Sequence, residues 1–213
     1  NLMLDEIDWE LAARGLSFCR YADDCNVYVR SKRGAEEAMK VLGKLTQKLK
    51  LKINAQKSAV AKVYERKFLG YGMWNAGNGK IKFRVSPQAM ENFRLRIRKM
   101  TGRSVGKNIQ RVVKELSAYM RGWKNYFALS ETPDVFRRLD GWIQRRLRQL
   151  YLKQWKTGEN CYRKLVAKGI TLKAAKSVAI NRRRYWAMSG TAAMNAAFPS
   201  VHFHVLGLVR LGK

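Results

Sequence analysis

Two runs of β-prone residues flank the acidic pair Asp23-Asp24, and no other stretch of the chain restricts the fold as strongly. The first run covers residues 16–21 and the second covers residues 25–29. Aromatic and β-branched residues on both sides of a short polar segment are typical of a two-stranded β-hairpin. The sequence therefore predicts that two neighbouring carboxylates lie at the tip of a hairpin.

Such a carboxylate pair is suited to binding a divalent cation. The charges of Asp23 and Asp24 repel each other unless a cation or solvent neutralises them. Mg²⁺ prefers carboxylate oxygens, and two such ions can activate a 3′-hydroxyl and stabilise a leaving oxygen. The alternative is that Asp-Asp only marks a turn, because aspartate favours turns. The apolar alternation on both sides of the pair favours the metal-binding interpretation.

The net charge points to a polyanionic partner. The 213 residues carry 44 Lys and Arg against 15 Asp and Glu, a formal net charge of +29. A content of 46% apolar and 11% aromatic residues excludes a disordered basic tail. The charge is uneven, since residues 1–75 carry +5 and residues 76–213 carry +24. This asymmetry predicts two parts with different roles.

The sequence also argues against a disulfide framework, a zinc site and a membrane helix. Cys19, Cys25 and Cys161 are scattered and form no Cys-x-x-Cys pair, so we expect buried, reduced thiols in an intracellular protein. Residues 187–209 carry no formal charge and are long enough to span a bilayer. We do not expect a membrane helix there, because Pro199 and several polar residues interrupt the segment.

The first part of the chain predicts a mixed fold. Apolar residues three or four positions apart predict helices before Gly15 and over residues 34–49. Residues 51–63 and 66–74 predict short strands, and residues 80–85 predict a returning strand after a glycine-rich turn.

The pattern changes to helical after residue 85. Ser86-Pro87 is a strong helix start, and Asn108, Thr132 and Thr171 open further helices. His202 and His204 alternate as they would on a strand, and two histidines without a third ligand favour surface or packed residues over a metal site. The sequence predicts an α+β fold with a mixed domain over residues 1–85 and a helical domain over residues 86–213.

Several segments resemble, in order, the motifs of one family. Residues 18–24 (Phe-Cys-Arg-Tyr-Ala-Asp-Asp) are similar to the palm hairpin of reverse transcriptases. The rest of the chain resembles the bacterial group II intron reverse transcriptase/maturase family in particular. Residues 1–6 resemble the helix before this hairpin, and residues 51–58 resemble the next palm motif. Residues 68–71 resemble the primer grip, and residues 122–127 resemble the helical thumb or maturase X signature. The resemblance implies a partial palm over residues 1–85 and a helical thumb beyond it.

The resemblance also implies roles for individual residues. Asp23 and Asp24 would be catalytic and hold Mg²⁺, with dNTPs as substrates. Lys57 would donate a proton to pyrophosphate or pair with the triphosphate, and a solvated lysine is the alternative. Phe68 and Leu69 would hold the primer, and a core position is the alternative. The full set of expected nucleotide and primer contacts is Tyr21, Ala22, Lys57, Phe68, Leu69 and Gly70.

The helical part is expected to bind nucleic acid. Neutralising phosphates releases counterions, and +24 over residues 76–213 exceeds what solubility requires. Trp123 and Trp142 fit a core better than base stacking, whereas Tyr185 follows three arginines. The expected contacts are Arg137, Arg138, Arg145, Arg148, Arg182, Arg183, Arg184 and Tyr185.

The resemblance implies part of an RNA-directed DNA polymerase that is also an intron RNA maturase. Its expected partners are group II intron RNA and an RNA template with a DNA primer, and its expected location is the bacterial cytoplasm. The alternatives are a non-catalytic RNA-binding maturase module and a decayed remnant of a mobile element. The family's fingers and first catalytic aspartate precede the segment that this chain matches. We therefore expect the chain alone not to polymerise DNA, and a missing N-terminal half to be its partner.

Overall fold

A computed structural model describes residues 2–77, 79–103 and 106–212. The chain forms two compact units, Asn1–Phe68 and Leu69–Lys213. The two units divide after residue 68, whereas the expected domain boundary lies at residue 85. That expected boundary stays a prediction. The first unit carries +5 and the second +24, as for residues 1–75 and 76–213, because residues 69–75 carry no charge. The fold is α+β, as the sequence predicts.

The first unit contains two helices and the expected hairpin. Its elements are α1 (Leu2–Ala13), β1 (Ser17–Tyr21), β2 (Asp24–Tyr28), α2 (Lys32–Lys48), a short 3₁₀ helix (Val63–Glu65) and β3 (Lys67–Phe68). Ile7 and Leu11 are the buried residues of α1. Gly15 follows with a φ of 65°, which suits glycine and ends the helix. The Ser31 hydroxyl caps α2 by accepting a hydrogen bond from the Gly34 amide.

The strand expected over residues 51–63 is wrong. Residues 51–62 contain turns and irregular backbone, and the 3₁₀ helix begins at Val63. Asn54 explains the difference, because its side-chain oxygen accepts hydrogen bonds from the backbone amides of Gln56 and Lys57. Such an asparagine turn competes with the hydrogen bonds of a sheet.

The second unit begins with a hairpin of β4 (Tyr71–Asn75) and β5 (Ile81–Val85). The strands are antiparallel, with Tyr71 opposite Val85 and Asn75 opposite Ile81. The returning strand expected over residues 80–85 is therefore confirmed. Gly77 and Gly79 both have positive φ in the connecting turn, a conformation that glycine adopts without strain.

Eight helices follow in the described part of the second unit. They are α3 (Pro87–Met100), α4 (Ile109–Tyr126), α5 (Pro133–Gln154), α6 (Gly158–Val166), α7 (Leu172–Ile180), α8 (Tyr185–Met188), α9 (Ala192–Ala197) and α10 (Ser200–Val205). The predicted starts at Ser86 and Asn108 are confirmed, since each side chain accepts a hydrogen bond from an amide three residues later. Thr132 and Thr171 precede α5 and α7 without a side-chain cap bond.

One apolar core joins these helices. Phe93 of α3, Leu116 of α4 and Leu147 of α5 are fully buried within it. Trp123 is also buried, and its ring centroid lies 4.2 Å from that of Phe93. Trp142 is partly buried against the same core. The expected core role of Trp123 is therefore confirmed.

The strand expected around His202 and His204 is wrong, because both residues lie in α10. His202 Nε2 is 2.9 Å from the Tyr151 hydroxyl, and burial lowers the pKa of this histidine. The uncharged segment that contains them is divided among α8, α9 and α10. Within residues 2–77, 79–103 and 106–212, no helix has both the length and the apolar character to cross a bilayer.

The cysteines are free thiols with different surroundings. Cys161 is fully buried, and burial raises its pKa to about 11. Cys25 is half-buried, but Cys19 is exposed, which corrects the expectation that all three are buried. Alternation along β1 explains this exposure, because Ser17, Cys19 and Tyr21 share the open face of the strand.

Candidate catalytic hairpin and nucleic-acid interface

The hairpin of the first unit presents Asp23 and Asp24 at its tip. Tyr21 and Asp24 are the last paired residues, so Ala22 and Asp23 form a two-residue loop. Both carboxylates are exposed, as are Ala22 and Tyr21, the latter at 64%. The sequence predicted this arrangement correctly, because the strand and turn preferences of these residues are local.

Ala22 holds an unusual backbone conformation. Its φ is 53°, in the left-handed region that favours glycine. A residue other than glycine in this region costs about 1 kcal/mol and persists only where its surroundings enforce it. The strain is located between Tyr21 and the two carboxylates, so it belongs to the part of the hairpin that would meet a ligand.

Arg20 supports this strained tip, and sequence reasoning missed it. Its Nε donates to Asp8 Oδ1 over 2.7 Å, its Nη2 donates to Asp8 Oδ2, and its Nη1 donates to the Ala22 carbonyl over 3.0 Å. The side chains of Arg20 and Asp8 are only 13% and 25% exposed. The hydrogen bonds that Arg20 donates to the Asp8 carboxylate raise the pKa of Arg20. This clamp links α1 to the hairpin tip while the charge of Arg20 is compensated.

The donor set at the tip suits a hard divalent cation but is small. Asp23 and Asp24 offer carboxylate oxygens, the ligands that Mg²⁺ and Mn²⁺ prefer. The compensated charge of Arg20 adds little repulsion toward a cation at this position. Within the described residues, no group of three or more histidine, cysteine or acidic side chains could hold a metal ion. The pair can therefore supply part of a coordination shell and leave positions for phosphate oxygens and water.

Lys57 lies in the Asn54 turn of the same unit. Its side chain is exposed, and its carbonyl accepts a hydrogen bond of 2.6 Å from Arg66 Nη2. This position leaves the ammonium group accessible, so both expected roles, a phosphate contact and a solvated lysine, agree with the geometry.

The turn at Leu69 and Gly70 opens the second unit. Both residues have positive φ, 50° and 76° respectively, and Leu69 is therefore strained. A Cβ on Gly70 would lie 3.2 Å from the Phe127 ring, so both the tight contact and the positive φ favour glycine at this position. The Gly70 carbonyl also accepts a hydrogen bond of 2.8 Å from the Ser86 amide. Phe68, the last residue of the first unit, is half-buried.

The expected basic contacts of the second unit differ in accessibility. Arg137, Arg138, Arg183 and Arg184 are exposed, and Arg182 is half-buried. Tyr185 is half-buried as well, with the Arg103 guanidinium 5.2 Å and the Lys153 ammonium 5.9 Å from its ring centroid. The four exposed arginines are therefore the better candidates for phosphate contacts.

Arg145 makes contacts within the second unit. Its guanidinium carbon lies 4.0 Å from the Trp186 ring centroid, and its Nη2 donates to the Trp186 carbonyl over 2.9 Å. A Cβ on Gly190 would approach the same guanidinium to 2.8 Å, so a larger residue there would displace the Arg145 side chain. Arg145 thus fixes the position of Trp186, which is 41% exposed and offers a ring for stacking.

Arg148 is buried, which argues against the expected contact with nucleic acid. It is 7% exposed, and its Nε donates to the Phe198 carbonyl over 3.0 Å. Its guanidinium also lies over the Phe203 ring, and burial lowers the pKa of Arg148. Helical spacing alone did not reveal this, because the sequence does not show which face of α5 the C-terminal helices cover.

Comparisons with known proteins agree with the two-part organisation. Residues 1–73 match the family model described as reverse transcriptase (RNA-dependent DNA polymerase). Residues 90–169 match the model described as the group II intron, maturase-specific domain. A search of curated proteins finds no match for the chain. The first match contains the acidic hairpin, and the second contains α4, α5 and α6 complete.

Proposed function

Because the chain belongs to the group II intron reverse transcriptase/maturase family, we propose that Asp23 and Asp24 are its metal-binding catalytic residues. The observation that carries this proposal is the strained two-residue tip, where Arg20 fixes the Ala22 carbonyl beside two exposed carboxylates. Such rigidity suits groups that must hold an ion in one geometry.

Bound Mg²⁺ would lower the pKa of the attacking 3′-hydroxyl and neutralise the charge that develops on the phosphate. The protein's own contribution is to orient two carboxylates from a rigid hairpin. The exposed ring of Tyr21 and the backbone of Ala22 lie next to this pair and would contact the primer end or the incoming dNTP. Lys57 is a further candidate for the triphosphate, because its ammonium group is free to reach solvent.

The reverse transcriptase and maturase matches imply that the chain binds intron RNA and template nucleic acid. We propose that the exposed arginines of the second unit make the phosphate contacts. This unit carries +24, and Arg183 and Arg184 are adjacent and exposed just before the aromatic pair Tyr185-Trp186. The combination of cations with an accessible ring favours single-stranded segments of a nucleic acid. The cytoplasmic location stays a prediction.

Replacing Arg183 and Arg184 with glutamine is expected to weaken RNA binding and to lower its salt dependence. Each lost phosphate contact should reduce the slope of log K against log salt by about one. Fluorescence anisotropy with a labelled intron RNA between low and moderate salt measures both quantities. Arg30→Gln with Arg33→Gln is the matched control, because it removes two exposed arginines from the first unit. An unchanged slope for the Arg183 and Arg184 variant would refute these contacts.

We also propose that the 213-residue chain does not extend a primer by itself. Its described residues supply two carboxylates at the hairpin, and two-ion chemistry requires further ligands. A primer-extension assay compares the chain alone with a completed enzyme, in which the chain is joined to the family's fingers and first catalytic aspartate. We expect Mg²⁺-dependent synthesis only from the completed enzyme. Synthesis by the chain alone would contradict this proposal.

A further inference from the structure

We propose that the Tyr126 hydroxyl is a positioning group for the Leu69-Gly70 turn and thereby determines how well this turn holds a primer. The inference rests on the proposed function and on the primer contact that the resemblance implies for Phe68, Leu69 and Gly70. Tyr126 is the last residue of α4, and the turn lies 57 residues earlier in the chain. The two segments nevertheless contact each other within the second unit.

The turn depends on neighbours for its shape. Leu69 and Gly70 both have positive φ, and for leucine this conformation is unfavourable unless other contacts enforce it. The Tyr126 hydroxyl donates a hydrogen bond of 3.0 Å to the Leu69 carbonyl. That bond fixes the orientation of the strained peptide group directly, whereas the Ser86 amide fixes the following carbonyl, that of Gly70.

A second contact runs in the opposite direction. The Tyr71 hydroxyl donates to the Tyr126 carbonyl, and the two rings are stacked with centroids 6.3 Å apart. Burial raises the pKa of Tyr71. A tyrosine hydroxyl is protonated at neutral pH and can donate this bond. The two tyrosines therefore form a reciprocal pair that links both ends of the Leu69–Tyr71 segment to the end of α4.

Buried aromatic residues anchor the end of α4, which carries Tyr126 of this pair. Trp123 and Phe127 are buried there, and the Phe127 ring lies against Gly70. Tyr126 itself is 56% exposed, so much of its ring does not serve the core. A half-exposed tyrosine whose hydroxyl reaches a strained carbonyl indicates a role in positioning the turn beyond its contribution to packing.

The test is photo-crosslinking of the 213-residue chain to an RNA template annealed to a DNA primer with a photoreactive 3′-terminal nucleotide. Mass spectrometry maps the crosslinks, and we expect a crosslink to residues 68–70 in the unaltered chain. In Tyr126→Phe its yield should fall about fivefold, the effect of one hydrogen bond. Tyr71→Phe, which retains the ring stacking, should lower the yield as well. The unfolding temperature should fall by no more than a few degrees in both variants, and total template–primer affinity should change little.

Tyr119→Phe is the matched control, because it removes one hydroxyl from the same helix while the ring remains stacked on Phe93. Its crosslink yield should equal that of the unaltered chain. An unchanged yield in Tyr126→Phe would overturn the positioning role but leave the primer contact intact. Absence of any crosslink to residues 68–70 in the unaltered chain would overturn the proposed primer contact and this inference with it.

Discussion

Replacing both Asp23 and Asp24 with asparagine is expected to abolish DNA synthesis by the completed enzyme. Asparagine preserves the size of each side chain but removes the charge that attracts Mg²⁺. Metal-ion stabilisation of a transferring phosphate is worth several kcal/mol, so the rate should fall by at least about a thousandfold. Primer extension with Mg²⁺ measures the loss. Proton relaxation of water in the presence of Mn²⁺ measures cation binding independently of activity.

The control for this experiment is Glu36→Gln with Glu37→Gln. These two residues are also adjacent and exposed, and their replacement changes the net charge by the same amount. They lie on α2, where they pair with Lys32 and Lys40. We expect normal synthesis and normal RNA binding from this variant. Retained synthesis in the aspartate variant would exclude a catalytic role for the pair. RNA binding and splicing assistance without any synthesis by the unaltered enzyme would instead favour an RNA-binding maturase module.

The elements that could be predicted from sequence are those whose signals are local. The hairpin follows from strand preferences and a polar tip, and the starts of α3 and α4 follow from Ser86 and Asn108. The strand expected over residues 51–63 is wrong for a related reason. The asparagine at position 54 forms a local turn, and the alternation of apolar residues around it was a weaker signal.

The candidate site was predictable only in part, because several contacts depend on the tertiary structure. Helical spacing placed Arg148 with Arg145 among the basic contacts, but packing of the C-terminal helices encloses Arg148. The link from Tyr126 to Leu69 joins residues 57 positions apart, and neither composition nor periodicity indicates it. The role of Arg20 was also not predictable from the sequence, because its partner Asp8 lies on a different element.

The Arg20 clamp has a consequence that can be measured. Residues that orient metal ligands without binding the ion typically alter metal affinity or activity by 10- to 100-fold. Arg20 does not contact the carboxylates of the tip, but it donates to the carbonyl of Ala22, the residue before Asp23. Without this bond the strained conformation of Ala22 loses a support, and the loop would sample other conformations.

Arg20→Gln in the completed enzyme is therefore expected to reduce synthesis about 10- to 100-fold and to raise the Mg²⁺ concentration required for half-maximal rate. Arg20→Lys should restore little, because lysine lacks the planar fork that holds both oxygens of Asp8. Arg14→Gln is the matched control, since Arg14 pairs with Glu10 on the exposed surface. Excess Mg²⁺ should recover part of the Arg20→Gln activity, because the ligands themselves remain. A uniform loss of rate with no change in the Mg²⁺ requirement would show that Arg20 stabilises the fold without orienting the carboxylates.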